Sequence, residues 1–384
     1  MLLLAGELVH EVNEAKMTQW YSIDNEDDVS SPALLIYPDR IQENLRRMIE
    51  LAGDVSRLRP HVKTHKIPQI IAMKRSVGID KFKTSTIAEA EMTASAGGKD
   101  VFLAYQSVGP NVRRFVELIT RFPGTRFSTM VDNPESLAQI ASCAKSHGVI
   151  ACLYLDLNVG MNRTGITPGP QAVELYRSLS TTDGICPGGL HAYDGHLHEP
   201  DLAKLTEQSR RAYEPVWKLI DDLNQEGLGV PNIIAAGTPT SRLLAKRKDI
   251  EVGAGTTVLW DFGQAEISPD LDFQNAAVLL ARVISRPTAN RICIDLGHKA
   301  VASEMPQPRV RWFGLEDSIP VLHNEEHLVL ETSKADAIPV GTVVYGIPRH
   351  ICPTVALHNE VWCVKNRLAV EKWPIVARVR CLTI

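Results

Sequence analysis

The chain has 384 residues, 44 % of them apolar and 22 % charged, with 41 Lys+Arg against 45 Asp+Glu and a net charge of −4 at pH 7. These are globular proportions that exclude a disordered chain, and the balance of charge offers no basic surface for nucleic acid or an anionic membrane. Mean hydropathy is −0.07, and no apolar run approaches the roughly 18 residues of a bilayer helix, so we expect a soluble protein of two or three domains.

Residues 1–16 begin with a short apolar run that Gly6-Glu7 ends well before a signal-peptide core is complete. They read as a loose extension, with Met17 as an alternative start. The seven cysteines are scattered, odd in number and never in a CxxC pair, which suits reduced thiols and a cytoplasmic protein. From about residue 57 a short β-branched or apolar run alternates with a longer segment of helical spacing. Candidate strands begin near Arg57, Lys81, Asp100, Arg126, Ile150, Gly184, Asn232 and Asp249. Helical stretches such as 87–96 and 134–147 close on Gly97-Gly98 and Gly148, residues suited to helix C-caps. Eight strands alternating with helices predict an α/β fold, a (β/α)8 TIM barrel, in preference to an open doubly wound sheet. After about Phe273 the texture turns β-rich, over 276–284, 291–295, 327–330, 342–345, 360–364 and 375–382. That predicts a C-terminal all-β domain. The expected organisation is an N-terminal segment over 1–30, a barrel over 31–270 and a β-domain over 271–384.

In such a barrel the working residues sit where the strands end. The first strand ends in Arg59-Pro60-His61-Val62-Lys63-Thr64-His65-Lys66, the second in Lys83-Thr84-Ser85-Thr86, and the fifth leads through Asp156 to Arg163. The sixth ends in a histidine cluster, His191, His196 and His198, around Tyr193. After the seventh and eighth come Gly237-Thr238-Pro239-Thr240 and Gly253-Ala254-Gly255-Thr256, small hydroxyl-rich turns whose backbone N–H groups suit one anion, or are simply turns. Lys63 is either a surface lysine in a basic cluster or a desolvated amine in the barrel mouth, where a Schiff base becomes accessible to it. A lysine on strand one with an anion cradle after strands seven and eight is the layout that holds pyridoxal phosphate.

The strings RPHVKTHK and KTSTIAEAE, followed in order by DLNVGMNRTG, AAGTPTS, EVGAGTTV, DLGHKAV and PRHICPTVALH, resemble the fold-type III, alanine racemase-like pyridoxal-phosphate enzymes. Within these the chain is most similar to the D-threonine aldolase and D-serine dehydratase branch. The resemblance implies that Lys63 holds the cofactor covalently, that Arg163 and Tyr193 contact its ring, and that Gly237, Thr238, Gly255 and Thr256 take its phosphate. It implies that residues before the barrel return to the β-domain, and that a homodimer completes the site. It also places His196 beside the cofactor as a base or a holder of water. His323 and His327 flank a Glu-Glu pair for which no role follows, and Trp260 reads as rim packing.

His350 and Cys352 stand two apart in Pro348-Arg349-His350-Ile351-Cys352-Pro353. In an extended segment their side chains point the same way, as half of a divalent-metal site or as a buried thiol beside a satisfied imidazole. The resemblance makes them metal ligands. Thiolate with imidazole favours Zn2+, with Mn2+ or Mg2+ as alternatives. That pair resembles the family's dehydratases, whereas the surrounding CPTVALH text resembles its aldolases. The expected activity is retro-aldol cleavage of a β-hydroxy-D-amino acid to glycine and an aldehyde. β-Elimination to a 2-oxo acid and ammonia is the alternative. A racemase would need a second base, and a non-catalytic cofactor carrier would lack the β-domain.

Overall fold

The computed structural model describes residues 19–384; the loose extension over 1–16 and the alternative start at Met17 lie outside the described residues. The chain divides into two compact units, one formed by residues up to Arg40 with Asn275–Pro374, the other by Ile41–Gln274 with Ile375–Ile384.

In chain order the first strand, β1 (Ala33–Ile36), belongs to the former unit, and β2 (Lys81–Thr84), β3 (Asp100–Gln106), β4 (Arg126–Val131), β5 (Ala151–Leu157), β6 (Ile185–Ala192), β7 (Ile233–Ala235) and β8 (Ile250–Val252) to the latter. β2 to β8 form one parallel sheet in sequence order. The segment before β2 joins its two edges. Leu58 bridges Val252, His61 bridges Lys83, the Arg59 amide donates to the Val252 carbonyl and the Lys83 amide to the Pro60 carbonyl. This is the (β/α)8 architecture. The strand expected from Arg57 is reduced to these bridges, because 3-10 turns at Val55–Arg57 and Val62–Thr64 hem it in and Pro60 has no amide for the ladder.

Alternation along the strands separates two cores. Val101 and Leu103 face the helices in a large outer cluster, while Phe102, Met130, Cys152, Tyr154 and Ile234 fill the barrel. The helices start where local chemistry dictates. Thr86 accepts from the Glu89 amide ahead of helix Ile87–Ser95, and Asn133 from the Ser136 amide ahead of Pro134–Ser146. Gly97 at φ +88° and Gly148 at φ +65° follow their last turns. At the end of the barrel where the strands begin, buried Arg59 bonds Glu251 and Asp100, both at 2.6 Å, and Lys81 reaches Glu251 at 2.5 Å. At the opposite end the strand termini are left for a site.

The other unit is a mostly antiparallel sheet. Its strands after β1 are β9 (Ala277–Thr288), β10 (Arg291–Ile294), β11 (Val310–Trp312), β12 (Ile319–His323), β13 (Leu328–Glu331), β14 (Val343–Pro348), β15 (Glu360–Lys365) and β16 (Leu368–Pro374). The order is β12-β13-β10-β9-β1-β15-β16, with β14 also on β9 and β11 on β14. Pairing of β1 with β9 and β15 carries the first division to residue 40, past the expected residue 30. The strand expected over 375–382 is absent. Its place is taken by a 3-10 turn, Val376–Arg378, whose Ala377 amide donates to the Lys66 carbonyl. The true last strand ends at Pro374, where the ladder loses a donor. The unit also contains a helix, Ile351–Leu357. No helix among the described residues is long and apolar enough to cross a membrane.

Candidate active site

The end of the barrel at which the strands terminate opens on a cavity of about 330 Å3 lined by His61, Lys63, Lys83, Ser85, Ala104, Tyr105, Gln106, Met130, Arg163, Thr164, His191 and Tyr193. That volume lies in the usual range for a small-molecule site, about 300–1,000 Å3. Lys63 follows His61, whose Nδ1 accepts from the Lys63 amide at 3.2 Å. Three residues on, Lys66 takes a left-handed φ of +56° and turns its ammonium to the fully buried Glu89. Glu89 also accepts from the Ser85 amide at 2.7 Å and from its hydroxyl, so one carboxylate ties the Lys63 turn to the end of β2.

Tyr193 is the hub of the cationic wall. Its ring centroid lies 5.9 Å from Lys63 Nζ, 5.0 Å from Lys83 Nζ and 5.2 Å from the Arg163 guanidinium carbon. On β6, His191 faces the barrel interior, since its neighbours Leu190 and Ala192 belong to the outer core. Its Nδ1 lies 2.7 Å from Asp156 Oδ1, and Gln106 donates to Asp156 Oδ2 at 2.8 Å. Its Nε2 is buried without a hydrogen bond. Burial first, and then Lys83, push His191 down to about 4, so the ring is neutral. Burial also holds His61 well below its ordinary value and brings the Lys83 ammonium down to about 7.

His196 is outside the cavity lining. Its Nε2 turns to Gly160, where an added Cβ would lie 3.1 Å away. Of the histidines that follow strand six, the one that lines the cavity is His191, which joins His61 there. Gly237, Thr238, Gly255 and Thr256 sit on the turns after β7 and β8, also outside the lining. The Gly237 amide donates to buried Asp194 Oδ1 at 2.5 Å, and Thr240 donates to the other carboxylate oxygen at 2.5 Å. Gly255 packs against the cavity wall so closely that a Cβ would stand 2.8 Å from His61 Cβ. The sequence places Lys83, Asp156 and His191 at strand ends without giving Lys83 a role or pairing Asp156 with His191. The signal for Lys83 was a lysine on the same strand face as Lys81, pointing inward.

Pyridoxal phosphate is anionic, and these residues fit it. The cavity gathers Lys63, Lys83 and Arg163, and the turn after β8 carries a buried Thr257 hydroxyl with no hydrogen-bond partner. In the sheet unit His350 is extended, at φ −134° and ψ 102°, but Cys352 falls in the first turn of helix Ile351–Leu357. The expected extended geometry over both residues is therefore corrected. Glu304 Oε1 lies 2.5 Å from His350 Nδ1, a carboxylate–imidazole pairing of the kind that orients metal-binding histidines in general. Imidazole and thiol are a zinc-type donor set. Among the described residues no group of three or more His, Cys, Asp or Glu converges on one point.

Residues 36–256 match the family model described as "Alanine racemase, N-terminal domain", and residues 276–364 match a serine dehydratase domain. D-threonine aldolase of Arthrobacter sp. is 27 % identical over 91 % of this chain and 93 % of its own length. D-threo-3-hydroxyaspartate dehydratase of Delftia sp. is also 27 % identical, over 90 % and 97 %. The solved structure of D-threonine aldolase from Filomicrobium marinum superposes with a TM-score of 0.82 at 26 % identity, covering 91 % of this chain and 96 % of that one.

Proposed function

The chain belongs to the alanine racemase N-terminal-domain family, and from that premise we propose that it is a pyridoxal-phosphate-dependent lyase that cleaves a β-hydroxy-D-amino acid to glycine and an aldehyde. One observation carries the reading: a barrel-mouth cavity that brings Lys63, Arg163 and Tyr193 together with a buried imidazole whose Nε2 is uncommitted. The activities named for the Arthrobacter and Delftia relatives agree in substrate class.

Pyridoxal phosphate supplies an electron sink for negative charge at the substrate Cα. Lys63 holds it by its ε-amine, Arg163 and Tyr193 border its ring, and the Gly237-Thr238 and Gly255-Thr256 turns take its phosphate. His191 Nε2, fixed as an acceptor by Asp156, is placed to hold or take a proton inside the cavity. His350 and Cys352 would hold a divalent metal, zinc by donor type, with Glu304 fixing the imidazole. The metal would polarise the substrate hydroxyl. The active form is a homodimer.

The thiol at Cys352 favours a second reading, β-elimination to a 2-oxo acid and ammonia. D-Threonine separates the two. With pyridoxal phosphate and Zn2+ or Mn2+, the expected products are glycine and acetaldehyde. 2-Oxobutanoate and ammonia would establish the elimination, and absence of either product with D-threonine and D-threo-3-hydroxyaspartate would overturn the lyase.

A further inference from the structure

The cavity contains a second lysine, Lys83, to which no role has yet been given. Lys83 is on β2, its amide in the ladder to Pro60, and its side chain is only 4 % exposed. The stem crosses the mouth beside Gly253, where a Cβ would stand 3.5 Å from Lys83 Cδ, and the ammonium ends 5.0 Å from the Tyr193 ring centroid. It makes no hydrogen bond or ion pair to another described residue. The groups that face it come from every side: Lys63 and His61 from the turn before β2, Asp156 from β5, Arg163 from the loop that follows, His191 from β6 and Asp194 from the loop after β6. Both carboxylates are committed elsewhere, Asp156 to His191 and Gln106, Asp194 to Gly237 and Thr240. A buried cation without a partner is destabilising, and an apolar residue would serve packing better. Its ammonium borders the cavity, where an acceptor arriving from outside the chain can reach it.

Resting on the cofactor reading above, we propose that Lys83 is a second, noncovalent cofactor-contacting amine that shares one proton with the pyridine nitrogen of pyridoxal phosphate. The ring nitrogen is para to the ring carbon that bears the aldehyde Lys63 would take, so it would lie on the edge furthest from that attachment and one lysine cannot serve both. In the reading above the phosphate would fall to the turns after β7 and β8, and Arg163 would cover another edge. Lys83 comes from a different strand and reaches across the floor of the mouth, from Gly253 toward Tyr193. One N–H bond is exchanged and nothing else: the proton is on the lysine with a neutral ring, or on the ring with a neutral amine. An ammonium brought down to about 7 by burial is matched to such sharing near neutral pH.

The test uses the full chain reconstituted with pyridoxal phosphate. Borohydride reduction and peptide mapping should place the pyridoxyl group on Lys63 in the wild type and in Lys83→Met. Acetic anhydride labelling of wild-type Lys83 should fall several-fold when the cofactor is added. The pH titration of cofactor absorbance should show a transition in the wild type that is missing in Lys83→Met and moved upward in Lys83→Arg. Cofactor affinity of Lys83→Met should drop about tenfold, the loss expected for one charge-assisted hydrogen bond. Pyridoxyl label on Lys83 in the wild type, equal acetylation with and without cofactor, or superimposable titrations of wild type and Lys83→Met would each overturn the proposal. If Lys83→Met does not fold, the wild-type labelling decides. A chain that takes up no pyridoxal phosphate overturns the reading beneath it, and the role of Lys83 with it.

Discussion

Asp156 Oδ1 and His191 Nδ1 are 2.7 Å apart, both side chains are buried, and the far nitrogen of the ring makes no hydrogen bond. The Asp156 carboxyl is held below its ordinary value by His191 against the opposing effect of burial. Ionised, it only accepts, so the imidazole proton is on Nδ1 and Nε2 presents a lone pair to the cavity. Asp156→Asn keeps the shape but lets the ring take either tautomer. The expected result is a fall of about ten- to a hundredfold in kcat with cofactor content unchanged. An unaltered kcat would remove His191 from the reaction.

The same pair predicts how stability responds to acid. In the unfolded chain the His191 ring takes its proton near 6.5, and in the fold only near 4. Between these values the unfolded state binds more protons, so this contribution is complete above pH 6.5 and is lost as pH falls toward 4. Buried His61 and His65, both well below their ordinary values, act in the same direction. Urea midpoints of the wild type should rise from pH 4 to 6.5, and His191→Gln should rise less steeply. Parallel profiles would show that His191 titrates normally.

Glu89 is the residue on which the Lys63 turn hangs. It is fully buried, pairs with Lys66, and takes both the amide and hydroxyl of Ser85 at the cavity edge. Glu89→Ala leaves the Lys66 cation inside the fold without its carboxylate. A loss of about 3–5 kcal/mol in unfolding free energy is expected, with weaker cofactor binding in whatever remains folded. A change under about 1 kcal/mol would mean that Lys66 swings to solvent.

What the sequence displayed well was whatever local pattern decides. Seven barrel strands and helices Ile87–Ser95 and Pro134–Ser146 lie where alternation, caps and glycines put them. What it hid depends on partners far along the chain. The run from Ile375 to Leu382 has strand-like residues but no strand to pair with beyond Pro374. Exposed β12 carries no alternation to betray it. His191 was legible in principle, because β6 runs through Ala192 and a period of two sends position 191 inward, whereas His196 is past the strand end. Lys83 is one inward lysine among many, and its isolation exists only once Asp156 and Asp194 have found their other partners.

The His350–Cys352 pair gives the prediction that separates metal chemistry from packing. Glu304 bonds His350 Nδ1 at 2.5 Å, and the Thr354 hydroxyl donates to the His350 carbonyl at 2.8 Å while accepting from the Ala302 amide, so the imidazole is held in place whether or not an ion is present. Cys352→Ala should therefore leave the fold intact but lower bound zinc to well below one ion per chain, with turnover of β-hydroxy substrates falling in proportion. Cys352→Asp exchanges a soft donor for a hard one and should shift the preferred activating ion from Zn2+ toward Mn2+. Glu304→Gln should weaken metal binding by about ten- to a hundredfold, since it unpins the far side of the ring. Metal content by elemental analysis, read beside activity after chelation and re-addition, measures all three. Full activity in chelated wild type, or unchanged zinc in Cys352→Ala, would leave His350 and Cys352 as packing residues at a helix start.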